Sequence, residues 1–169
     1  MIERRPVLTV VIVVAVAVLA QTTLFARLRL AGLAPDLVVL AVILATLRLG
    51  DIPSLVTGFV AGMVMDALGS NALGLRAVVL TLVAYIALRT RDRADVGPLA
   101  VAVWVAGLTL VGVALLLLLG TLFDQIGLTG GEALRRLLLV PLLNLVAALV
   151  VSPLTGRMLD AGSGGRVRL

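Results

Sequence analysis

The sequence predicts an all-α, polytopic integral membrane bundle of about six transmembrane helices with both termini cytoplasmic. Three observations carry that expectation. Of the 169 residues, 62% are hydrophobic, and the mean hydropathy is +1.23. Only 14% are charged, against about 25% in a soluble domain, and the charges fall between apolar blocks. Those blocks recur along almost the whole chain, on the scale of the roughly 20 helical residues that a 30 Å hydrocarbon core requires.

The first block, Pro6 to Phe25, follows a charged start, as in a signal peptide, but its run from Pro6 to Ala20 is followed by Gln21, Thr22 and Thr23 without a small-x-small cleavage site, so it is expected to be a retained span. Three shorter blocks follow: Leu37 to Leu47 between Asp36 and Arg48, Ile52 to Met65 between Asp51 and Asp66, and Ala77 to Leu88 between Arg76 and Arg89. Each is short for a lone span. A re-entrant hairpin over the second and third would bury Arg48 and Asp51 in lipid at a cost of several kcal/mol, so six crossings with charges at their ends are the expected arrangement. The fifth block, Val96 to Phe123, is long. The sixth, Leu137 to Gly156, is uncharged and carries Pro141, Asn144 and Pro153. Residues 1–160 therefore form one transmembrane domain, and 161–169 a flexible basic tail.

All 14 cationic residues are arginines, and the net charge is +5. Their placement reads as a topology signal rather than a nucleic-acid footprint. With an inside N-terminus, the cytoplasmic segments hold Arg4, Arg5, Arg48, Arg89, Arg91, Arg93, Arg157, Arg166 and Arg168. The opposite side holds Arg27, Arg29, Arg76, Arg135 and Arg136. That excess is the one expected for the cytoplasmic face. "RTRDRADVGP" acts as a topology anchor, and such a loop also suits contact with anionic lipid.

Cysteine and histidine are absent, which removes disulfides, thiolate and imidazole chemistry and the commonest zinc ligands. "GSNALG" is not followed by the lysine and the serine or threonine of a phosphate-cradling loop. Trp104, Tyr85 and Phe123 are too few for a platform that stacks bases or sugars. Neither a catalytic constellation nor a metal or cofactor site is expected, and the segments between spans are too short for an extramembrane enzyme or nucleic-acid module.

The polar residues that remain are few. Alternating spans place Asp36, at the start of the second, and Asp66, at the end of the third, at one level near the outer surface, with Arg76 opening the fourth. Asp36 follows Pro35, suiting a first helical turn where proline is tolerated and a carboxylate meets the positive end of the dipole. Gly58, Gly62 and Asp66 are four residues apart and share a helix face. The glycines permit close helix approach and carry Asp66 into that interface. Gly69, Ser70, Asn71 and Gly74 form the turn into the fourth span. Two readings of Asp36, Asp66 and Arg76 stand side by side: a polar cluster that binds a partner or handles a solute, or capping and a structural ion pair. Asn144, three residues after Pro141, is expected to bond the backbone group freed by that proline.

These residues resemble those of the rod shape-determining MreD family, across essentially the whole chain. The resemblance is most specific in Pro35-Asp36 within "APDLVVLAVILATLRLG", and in the Gly58, Gly62, Asp66 run that continues to Leu73, Gly74 and Leu75. "LLNLVAALVVSPL" is also similar. Many members carry histidine where this chain has Arg76, and a permanent charge suits an ion pair better than a proton switch. The resemblance implies a non-enzymatic scaffold in the inner membrane that binds MreC and, through it, works with MreB, RodA and the elongation transpeptidase. A partner's single span would then lie on the Gly58–Gly62 face. A distant likeness to the substrate-binding membrane subunits of energy-coupling-factor transporters gives the alternative, a small-solute-binding subunit with an enclosed pocket.

Overall fold

The structure, a computed structural model, describes residues 4–23, 34–69, 74–94, 97–123 and 130–160. The basic tail, Arg27 and Arg29, and Ser70 to Leu73 lie outside the described residues. The described residues form six α-helices: α1 (Arg4–Thr23), α2 (Leu37–Thr46), α3 (Asp51–Leu68), α4 (Leu75–Thr90), α5 (Pro98–Leu122) and α6 (Gly130–Asp160). A 3₁₀ turn, Arg91–Ala94, follows α4, and there is no strand among the described residues. Among the described residues, three helices are long and apolar enough to cross a membrane: α3, α5, and α6 over Gly130–Val151.

Helices α3 to α6 pack in sequence order, each on the next, and α1 lies against α2 and α3. Helix α2 touches all five others. Its sequence, LVVLAVILAT, is apolar on every side, and a helix of that kind has no face suited to water. Eight of its ten residues are buried, with Val42 and Ile43 at 0% exposure. Ten residues rise only about 15 Å, half of a hydrocarbon core of about 30 Å. The span expected from Leu37 to Leu47 is thus a ten-residue helix inside the bundle, about half the length of a lone crossing helix. Non-helical backbone at residues 34–36 is tolerable at such a position where protein covers it, and Pro35 is buried and its two neighbours half-buried.

The other expected spans fall on helices with shifted ends. Helix α3 runs three residues past Met65 and so includes Asp66, while α6 begins seven residues before Leu137. Small residues fix the neighbours: a Cβ added at Gly112 of α5 would stand 3.2 Å from Val83 Cγ2 of α4. Eight residues earlier, Trp104 Nε1 donates to Thr90 Oγ1 at 2.9 Å. These two contacts set the antiparallel register of α4 and α5.

Outward faces are apolar. Ile52, Val56, Val60, Val64 and Leu68 follow one another every fourth residue of α3, and Leu134, Leu138, Leu142, Val146 and Val150 do the same on α6, all exposed. Stripes of this extent suit acyl chains rather than water. At the bundle edge Arg91 Nη1 and Asp51 Oδ1 are 3.9 Å apart with both side chains exposed. Exposed pairs contribute little, so Asp51→Ala is expected to alter stability by less than about 1 kcal/mol, as read from thermal denaturation in detergent.

Candidate functional site

Helices α3 and α4 meet at glycines. A Cβ on Gly58 would lie 2.8 Å from the Leu80 carbonyl oxygen and 3.3 Å from Ala84 Cβ. One on Gly62 would lie 2.5 Å from the Ala77 nitrogen and 2.7 Å from the Arg76 carbonyl carbon. The face expected to receive another protein's span is therefore already filled by α4.

One turn beyond Gly62, that face delivers Asp66, 1% exposed, to the start of α4. Its Oδ2 accepts from the backbone N–H groups of Gly74 (2.9 Å), Arg76 (3.0 Å) and Ala77 (3.3 Å), and Oδ1 also accepts from Arg76 N–H at 3.3 Å. The first N–H groups of a helix have no intrahelical acceptor, and the helix start attracts negative charge. Residue Gly74, which occupies the cap position of α4, has no side chain to offer and sits at φ +97°, a left-handed conformation that favours glycine. Asp66, from the end of the preceding helix, supplies the missing cap. Of the structural roles considered for Asp66 and Arg76, the contact is a cap and not an ion pair: Arg76 gives its N–H, and no guanidinium–carboxylate pair joins the two.

A second polar centre surrounds the start of α2. Asp36 is the residue just before the first turn, and its Oδ1 accepts from Val39 N–H at 3.1 Å. Gln21 of α1 reaches across, its Oε1 accepting from Leu37 N–H at 2.9 Å. From α6, Asn144 Nδ2 donates to the Asp36 carbonyl oxygen and to Thr109 Oγ1 of α5, each at 3.0 Å. Thr109 in turn donates to the Val105 carbonyl at 2.8 Å. Asn144 and Thr109 are both at 0% exposure. The expectation that Asn144 serves the carbonyl freed by Pro141 is corrected: its amide ties three helices together instead.

Register separates the two centres. With Trp104 beside Thr90 and Gly112 beside Val83, Thr109 falls opposite Tyr85 and Ile86. Asn144 brackets Asp36 to that level, nine or ten residues along α4 from Arg76, or about 14 Å at 1.5 Å per residue. The two carboxylates thus stand at different depths, not in one cluster with Arg76. Each closes a helix start.

Sequence reasoning passed over Gln21 and Thr109. Gln21 had a signal, since an uncharged polar side chain within an apolar run requires a bonding partner. Thr109 had none, because mid-helix threonines commonly bond their own backbone. Among the described residues, no three His, Cys, Asp or Glu side chains come together as a metal site.

Compared with known families, residues 2–158 match the family model described as rod shape-determining protein MreD. No curated protein and no solved structure matches the chain.

Proposed function

The chain belongs to the MreD family of rod shape-determining proteins, and we propose that it serves as a non-enzymatic scaffold subunit of the cell-elongation machinery in the inner membrane. It binds MreC and so helps position peptidoglycan synthesis, acting through MreC with MreB, RodA and the elongation transpeptidase. Both termini face the cytoplasm, as the arginine distribution favours.

The observation that best supports a scaffold is how the polar groups are used. Asp66 has both oxygens engaged by α4, and Asn144, Gln21 and Asp36 hold α2 in place. The functional groups inside the bundle thus serve its architecture, while α3 and α6 present unbroken apolar stripes outward. Membrane partners associate through faces of that kind by close packing. Asp36, Asp66 and Arg76 accordingly support partner binding by keeping the bundle in shape.

Co-expression with the MreC-like protein of the same organism, followed by purification through a tag on this chain, tests the reading. A stoichiometric complex is expected. Recovery of a monodisperse chain alone, from cells in which the MreC-like protein is folded and membrane-inserted, would overturn it.

A further inference from the structure

Asn144 Oδ1 is buried and has no hydrogen-bond partner among the described residues. Exchanging the amide's oxygen and nitrogen does not repair this. The exchange would set Oδ1 against the Asp36 carbonyl oxygen, two acceptors face to face, and would offer it a Thr109 hydroxyl whose proton is already given to Val105. Nδ2 has two hydrogens and two acceptors at 3.0 Å, so its assignment is determined. Buried acceptors without a donor are rare, since leaving one unpaired carries its full desolvation cost.

A second acceptor lies on the residue that Asn144 holds. Asp36 is half-buried, its Oδ1 takes the Val39 N–H, and its other carboxylate oxygen takes no bond among the described residues. Two oxygens without a donor among the described residues, one fully buried on Asn144 and one on the half-buried Asp36, thus belong to residues joined by a hydrogen bond at the start of α2. The N–H groups of Leu37 and Val39 there are already matched by Gln21 and Asp36, so the place has little left to offer an anion. What it lacks is hydrogen.

The geometry points to a binding site, formed by Asn144 Oδ1 and the Asp36 carboxylate, for an N–H or O–H donor. Two sources carry that chemistry: a buried water, which typically satisfies two to four such groups, and the ammonium group of a small solute. The site is independent of the scaffold reading and survives if that reading fails.

The chain has only two asparagines, Asn71 and Asn144, so full-length protein labelled with [15N]asparagine in detergent gives two side-chain amides, and Asn71→Ser assigns them. With water at the site, the Asn144 amide shows a cross-peak to water despite its complete burial, and the peak persists in Thr109→Val, where no hydroxyl can relay it. With a solute at the site, methylammonium shifts the Asn144 amide saturably. Tetramethylammonium, which has no N–H, leaves it in place, and Asp36→Asn abolishes the shift. An Asn144 amide with neither response, or a water cross-peak lost in Thr109→Val, overturns the proposal.

Discussion

Replacing Gly62 with alanine is expected to destabilise the bundle by about 3 kcal/mol or more, at the upper end of overpacking costs. The new methyl would meet the backbone of Arg76 and Ala77, and backbone has no rotamer by which to step aside. Relief requires α3 and α4 to separate, which draws Asp66 away from the N–H groups it caps. Gly62→Leu should be worse. The comparison is Gly107→Ala in α5, where a Cβ meets nothing within 4 Å. That change should be neutral or stabilising by up to about 1 kcal/mol, the helix-propensity difference. Thermal denaturation of both variants in the same detergent checks the pair, and equal melting temperatures would refute the packing argument.

Asp66→Ala is expected to cost about 2–4 kcal/mol, because it leaves the N–H groups of Gly74, Arg76 and Ala77 without their acceptor and removes a charge-assisted set of bonds. It also leaves Arg76, a cation, in the first turn of α4 with no anion to offset the helix dipole. Asp36→Ala should cost less, about 1 kcal/mol, since it removes one cap contact while Gln21 still holds Leu37. The specific readout is amide hydrogen exchange at Arg76 and Ala77, which should accelerate in Asp66→Ala and not in Asp36→Ala. Gly62→Ala and Asp66→Ala act on the same two residues of α4, so their combined effect should fall short of the sum.

The sequence revealed the features that depend on one helix at a time. Apolar runs located α3, α5 and α6, and four-residue spacing placed Gly58, Gly62 and Asp66 on one face. The Pro35-Asp36 pair marked the start of α2. What stayed hidden depends on which helix faces which. The short length of α2 was legible, but its central place was not, because an apolar run between two charges reads alike whether lipid or protein surrounds it. Asp66 and Arg76 looked like an ion pair because side-chain charges are visible in a sequence, whereas unpaired backbone N–H groups are not. Asn144 was assigned to its nearest disruption, Pro141, although its partners lie on α2 and α5. The depth of Asp36 followed only once Thr109, Trp104 and Gly112 fixed the register between helices.

The half-length α2 also bears on how the protein is made. An insertion machinery that tests segments one at a time accepts about 20 apolar residues, and ten do not meet that threshold alone. The side chains that hold the start of α2 come from both directions in the chain: Gln21, which caps Leu37, is made before it, and Asn144, which bonds the Asp36 carbonyl, is 108 residues beyond Asp36. Its contact with α6 therefore forms only after α6 has been synthesised. A helix among the earliest to leave the ribosome receives its last tie near the end of synthesis, so truncation before Asn144 removes that tie while Gln21 still caps its start.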